Sequence, residues 1–278
     1  MLKVNIIIVY AVLLIALLFT GTQLFSFSEK SLLYFDALHY QTIKNEGYFG
    51  IEVAFFPLFP FIWKLSSLSA LGISIVNSLV YLGSVYLLFK QFNWNFHQKL
   101  LCLLTPSAIF FLVPYSEAFF FAAATILVIG ITKEKLIFTI LGLLICSISR
   151  PSFTVLLPAL LLMEFFSDDL EKWRKMSIYL ATTIAGGVVV AILQYMDTGK
   201  WFEYFSVQSA WDNSLRLPTL PLRSWGSQFA IMLDGVALLV GLFSGIHFLV
   251  LLVQKRLTSL SKVVVLSLAY LAGITLIV

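Results

Sequence analysis

The chain has 278 residues, 60% of them hydrophobic and 12% charged, with a formal net charge of +4. Soluble globular chains carry about 25% charged residues, so this one has too little polar surface to cover a water-soluble body, and a bilayer is its expected solvent. The cations are scattered between apolar runs instead of lying with aromatics on one face, so nucleic acid is not an expected partner. Cys102 and Cys146 each sit inside an apolar segment and indicate neither a disulfide framework nor a metal site.

A helix crosses the hydrocarbon layer with about 20 apolar residues. Lys3 and the apolar run 6–19 have the outline of a signal peptide, but Thr20-Gly21-Thr22 is a poor cleavage site, so 4–25 reads as an uncleaved first helix. A long polar interval, 26–53, follows. Residues 54–67, with Pro57 and Pro60, are too short to span comfortably and form an interfacial helix or a short crossing. Residues 71–90 read as a span. The apolar stretch 99–131 is interrupted at Thr105-Pro106 and Pro114-Tyr115-Ser116-Glu117, and 136–166 at Ser149-Arg150-Pro151. Each is one broken helix or a hairpin of two short ones, and hairpins keep Glu117 and Arg150 away from the bilayer centre. Spans at 177–196, 227–253 and 262–278 complete the chain, with a second polar interval at 197–226.

The expected fold is therefore all-α: a polytopic transmembrane helical protein, one domain over 1–278, with about nine spans or half-spans and no internal repeat. Val278 falls inside an apolar run without a charged flank, which raises the expectation of a longer natural C-terminus. If both broken stretches are hairpins and 54–67 does not cross, Lys90, Lys99, Lys133, Lys135, Lys172, Arg174, Lys175, Lys255, Arg256 and Lys262 fall on the same side as Lys3. That is the positive-inside pattern. The opposite side then collects 26–53, 197–226 and both hairpin tips, and with them most residues capable of chemistry.

Among those residues, Asp36 and His39 share a helix face at a spacing of three, suited to a general base or equally to the solvated edge of an interfacial helix. Glu117 is either an intramembrane functional acid or a hairpin tip in water. Arg150 either grips a phosphate or snorkels to headgroups. Asp234 is an isolated acid inside an apolar helix, with pairing to a neighbouring helix as the plain alternative. Gln194, Gln208, Trp211 and Asp212 lie at or in the second outer interval, and Trp201 and Trp211 also suit an aromatic belt. Walker, Gly-x-Gly-x-x-Gly, His-Glu-x-x-His and Gly-x-Ser-x-Gly motifs are missing from the sequence.

Phe35-Asp36-Ala37-Leu38-His39, Gly47-Tyr48, Ala54-Phe55-Phe56-Pro57-Leu58-Phe59-Pro60, Thr105-Pro106-Ser107-Ala108-Ile109-Phe110-Phe111 and Tyr115-Ser116-Glu117 occur in that order. In order and spacing they resemble the blocks of the polytopic mannosyltransferases of the GPI mannosyltransferase II type and their bacterial relatives, within the C-type class of polyprenyl-phosphate-sugar-dependent glycosyltransferases. Gln208-Ser209-Ala210-Trp211 is similar to that family's loop Gln and Trp. Phe35 stands where the family has Trp, Arg150-Pro151-Ser152 matches its Arg-Ser-Asn only in part, and its distal Arg-Tyr segment has no counterpart before Val278.

The resemblance implies transfer of a sugar, mannose above all, from a polyprenyl phosphate to a hydroxyl of a glycan or glycolipid on the non-cytoplasmic face, with inversion. Asp36 would be the catalytic base, and His39, Tyr115, Glu117, Arg150, Gln208 and Trp211 would bind substrate. No cofactor is expected, and a divalent metal stays open. The membrane would be the plasma membrane of a bacterium or the endoplasmic reticulum of a eukaryote. A transporter or flippase of lipid-linked sugars, with Glu117, Arg150 and Asp234 along its pathway, and a lipid-dependent ligase or polymerase are the alternatives.

Overall fold

The computed structural model describes residues 29–104, 106–151, 153–211 and 228–274, and every regular element among them is helical. The expected first span at 4–25, residues 212–226 of the second polar interval, and the last residues 275–278 lie outside the described residues. In chain order the helices are α1 (Asp36–Glu46), α2 (Leu58–Ser66), α3 (Ala70–Gln91), α4 (Phe96–Leu104), α5 (Glu117–Thr132) and α6 (Leu136–Ser149). They continue as α7 (Phe153–Phe165), α8 (Lys172–Thr198), α9 (Glu203–Val207), α10 (Gln228–Val253) and α11 (Lys262–Ile274). Helices α3, α8 and the Gly235–Val253 part of α10 are long and apolar enough to cross a membrane. Helices α5, α6, α7 and most of α11 are apolar but shorter. With nine residues, roughly 13 Å, α2 is too short to cross, as its prolines suggested.

Both broken stretches are hairpins. The chain from α4 climbs beside α3: the Lys99 ammonium lies over the Phe89 ring, Tyr81 donates to the Cys102 carbonyl at 3.0 Å, and Phe111 stacks on Tyr81 at 4.6 Å. Proline gives Pro114 no backbone donor and breaks the helix. The buried Asn77 amide donates to the Val113 and Tyr115 carbonyls on either side of the break, supplying partners that hydrocarbon cannot. Helix α5 then turns back, bringing Phe121 against Phe111 at 5.2 Å.

Helices α5 and α6 run antiparallel in close contact. A Cβ at Gly130 would lie 2.5 Å from the Thr139 nitrogen, and one at Gly142 would lie 2.5 Å from the Leu127 nitrogen, so no other residue allows this approach of the two backbones. Helix α7 descends again until Glu164 reaches the end where Thr139 sits; both border one cavity of about 30 Å³.

At that end a charge network ties α7, α8 and α11 together. Glu164 is 1% exposed; it accepts from Tyr179 at 3.0 Å, from Lys262 at 2.7 Å and from the Ser167 hydroxyl. Lys262 also donates to Asp169 at 2.9 Å, which takes a second ammonium from Lys175 at 2.5 Å. The Lys175 and Lys262 bonds hold the Asp169 carboxyl well below the usual carboxylate range. Its stabilising share is therefore present at neutral pH and is lost only as pH falls through that depressed value.

Lys262→Met leaves the Glu164 carboxylate without its cation and is expected to cost about 3 kcal/mol, as when one partner of a buried pair is removed. Adding Glu164→Gln should recover most of that loss. Unfolding of the two variants in detergent measures both; a double variant no better than the single one refutes the pairing.

Candidate active site

At the opposite end, the turns of the hairpins meet the polar segment before α3. Phe35 adopts φ 49°, a left-handed conformation that costs a bulky residue about 1–3 kcal/mol, and it starts α1 at Asp36. Residues Asp36 and Tyr40 stand one helical turn apart on the same face. Tyr40 is buried and donates to the Ser116 hydroxyl at 2.8 Å, while the Tyr115 hydroxyl donates to the Tyr34 carbonyl at 3.2 Å. These two bonds dock α1 on the turn before α5.

Glu117 opens α5 and Arg150 ends α6, and the two form an ion pair. The second carboxylate oxygen of Glu117 is buried and has no hydrogen-bond partner among the described residues. Asp36 is half-buried, and burial pushes its carboxyl above the ordinary aspartate value, with the nearby Arg150 guanidinium and His39 acting against the rise. Two acids thus face one guanidinium. Burial also holds the Tyr40 phenol protonated far above neutrality, so it stays a donor.

Glu117 and Arg150 form the polar head of a cavity of about 460 Å³ whose other walls are mostly apolar: Phe120, Phe121, Ala124, Leu127 and Val128 from α5, Leu156 from α7, and Leu266 and Tyr270 from α11, with the hydroxyl residue Ser267 beside them. It is a greasy trough with a cation at its head.

Of the residues expected at a site, Asp36, Tyr115, Glu117 and Arg150 come together here. His39 faces elsewhere: its Nδ1 lies 3.3 Å from a Glu52 carboxylate oxygen, and its ring stacks on Phe55 at 4.9 Å. Gln208 lies at the same end but donates locally, to the Tyr204 carbonyl at 3.3 Å. The side chains of Trp211 and Asp234, and the whole of Asp212, lie outside the described residues. Among the described residues no three His, Cys, Asp or Glu gather as a metal site.

Sequence reasoning missed Tyr40, Ser116 and Glu52. Tyr40 was findable as the i+4 partner of Asp36, on the face that α1 buries with Ala37. Glu52 has only its apolar neighbours Ile51 and Val53 as a signal. Gln194, near the end of α8, donates to the Val53 carbonyl at 2.7 Å and lies 3.4 Å from that of Phe55, fixing the 3-10 turn Gly50–Ala54 that presents Glu52. No protein-family model, curated protein or solved structure matches the chain.

Gln194→Leu removes the donor and leaves the Val53 carbonyl buried and unpaired, at an expected cost of about 1–3 kcal/mol. The loosening should appear as faster amide exchange at residues 50–55 and unchanged exchange in α5 and α6. Uniform protection across both regions would show that the turn does not depend on Gln194.

Proposed function

We propose that the protein is a membrane glycosyltransferase that moves a sugar, mannose foremost, from a polyprenyl-phosphate donor to an acceptor hydroxyl with inversion. One observation carries the reading: a half-buried carboxylate, Asp36, stands beside a guanidinium that heads an apolar trough. A polyprenyl chain belongs in the trough formed by α5, α7 and α11. Its phosphate belongs at Arg150, which uses Nη1 for Glu117 and has further N–H groups to donate. The likeness of the sequence blocks around Asp36 and Glu117 supports the same assignment.

In this mechanism the acceptor oxygen attacks the anomeric carbon from the face opposite the phosphate. The hydroxyl proton passes to Asp36 as the new glycosidic bond forms. The bond from carbon to phosphate oxygen breaks, and the charge left on the polyprenyl phosphate is stabilised by Arg150. Burial makes Asp36 more basic than an exposed aspartate, and the Arg150 charge acts against that rise. Tyr115 and Glu117 line the approach to the guanidinium, His39 and Gln208 belong to the acceptor side of the same end, and Trp211 is assigned to substrate by the sequence likeness alone.

The site end faces away from the cytoplasm in this proposal, because Lys133, Lys135, Lys172, Arg174, Lys175, Lys255, Arg256 and Lys262 gather at the other. With 4–25 and the climb of α4 counted, the chain makes about nine spans or half-spans. Single cysteines at Asn45 and at Leu170, which is 99% exposed, test the orientation in sealed vesicles with Cys102 and Cys146 replaced. An impermeant thiol reagent should label the first from outside and the second only after the membrane is opened; the reverse order defeats the external site.

The activity test is incubation of the purified protein in lipid with a panel of labelled polyprenyl-phosphate sugars and glycolipid acceptors. Transfer is expected with at least one donor, and Asp36→Asn should lower it about 100-fold to 10,000-fold with donor binding little changed. The rate should fall as pH drops through a value above the ordinary aspartate range, because protonation removes the base. Near-normal transfer by the Asn variant takes Asp36 out of the mechanism. Flux of intact lipid-linked sugar without any product replaces the enzyme by a transporter.

A further inference from the structure

The trough headed by Arg150 has two hydroxyl-bearing side chains on its α11 wall, Ser267 and Tyr270. The Ser267 hydroxyl donates back to the Val263 carbonyl at 2.8 Å, so its proton is already used. Tyr270 is half-buried; its hydroxyl is not sealed in the core and has no hydrogen-bond partner among the described residues. The phenol lies near enough to the Arg150 guanidinium for the two to interact electrostatically. An O–H group facing apolar surroundings without an acceptor is a cost that an oxygen of a ligand would relieve.

The frame that carries Tyr270 is fixed on both sides of it. Eight residues earlier in α11, about 12 Å along the helix axis, Lys262 is bonded to Glu164 and Asp169. One turn beyond Tyr270, a Cβ at Gly273 would overlap a methyl group of Val155 in α7, so the two helices touch closely there. Leu266, one turn before Tyr270, and Ala269 are buried in the core that α5, α6 and α7 share with α11. Helix α11 therefore has one register against α7 and presents Tyr270 at one depth of the trough.

We propose that the Tyr270 hydroxyl is a second binding group for the lipid phosphate, donating to one of its oxygens while Arg150 holds another. The inference rests on the proposed placement of a polyprenyl phosphate in this trough. A phosphate has several acceptor oxygens, and a guanidinium that already uses one nitrogen for Glu117 leaves some of them to a further donor. A phenol also discriminates between lipids. It gains a charge-assisted bond from a phosphate and only an ordinary one from the hydroxyl of a free polyprenol. Tyr270 thus helps to make the trough a site for a phosphorylated isoprenoid instead of a slot for any hydrocarbon chain.

The test is binding of tritiated farnesyl phosphate to the immobilised full chain in detergent, with unlabelled farnesol as the competitor that lacks the phosphate. Wild type should favour the phosphate. Tyr270→Phe should weaken farnesyl phosphate on the order of tenfold to a hundredfold, the size of a hydrogen bond to a charged group, and leave farnesol nearly unchanged. The variant removes only an unpaired hydroxyl, so its melting temperature should hold. Val128→Ala, on the trough wall, should weaken both ligands alike; if it binds both as wild type does, the lipids sit elsewhere and the inference falls. Equal losses of both ligands in Tyr270→Phe reduce Tyr270 to packing. A phosphate preference that survives in Tyr270→Phe removes the hydroxyl from the site and leaves Arg150 as the phosphate group. A wild type without that preference overturns the Arg150 assignment and this inference together. The loss of phosphate binding in Tyr270→Phe, found in a protein that transfers no sugar, keeps the two-point hold and discards the transferase.

Discussion

The backbone contact between α5 and α6 at Gly130 and Gly142 is the constraint from which the arrangement of charges follows. Two helices that touch this closely have one register, and that register sets Glu117, the first residue of one, against Arg150, just past the last of the other. Any side chain at Gly142 would force the helices apart and carry the guanidinium away from the carboxylate. The ion pair is thus a consequence of packing about two to four helical turns away from it. Cys146, buried beside the Phe120 carbonyl, packs in the same contact between the glycines and the charges.

Breaking helices inside an apolar body creates a second demand, since each freed carbonyl costs several kcal/mol in hydrocarbon unless it finds a donor. Two amides meet it. Asn77 serves the Pro114 break, and Gln194 serves the turn at Val53. Both reach across from long helices, so the polar segments of the site end are held by the spans and not by their own hydrogen bonding. Tyr40 and Tyr115 do the same from the other direction, pinning α1 to the turn before α5. The result is that the irregular backbone at these two breaks finds its partners in neighbouring protein.

Much of this was legible in the sequence. The boundaries of α3, α8 and α10 follow the apolar runs within a few residues, because composition alone decides what enters a bilayer. The two hairpins were open as one of two alternatives, and a charge at Glu117 and at Arg150 with a proline nearby favoured the one observed. What could not be read was which face of α1 turns inward. The spacing of three put His39 forward to accompany Asp36 and passed over Tyr40 at a spacing of four, which the bond to Ser116 turns inward while His39 lies against Glu52. Asn77 and Gln194 were opaque for a related reason: a single amide in an apolar helix announces a partner without saying where in the chain it lies.

The two ends of the bundle carry comparable sets of charges and use them in opposite ways. Around Glu164 the network is closed. Each carboxylate oxygen has a donor, Asp169 takes two ammonium groups, and the adjoining cavity of about 30 Å³ has room for about one water. Such an arrangement has nothing left to offer a ligand, and its role is to hold α7, α8 and α11 together. Around Arg150 the network is open. One oxygen of Glu117 has no partner among the described residues, the Asp36 carboxylate carries no side-chain hydrogen bond among them, and a cavity of about 460 Å³ adjoins the pair. Buried polar groups are almost always satisfied, so one that is not calls for an explanation. An unsatisfied acid, a partly used guanidinium and an apolar trough do less for stability than a closed pair with a filled trough would, and they support the proposed reading of this end as the site.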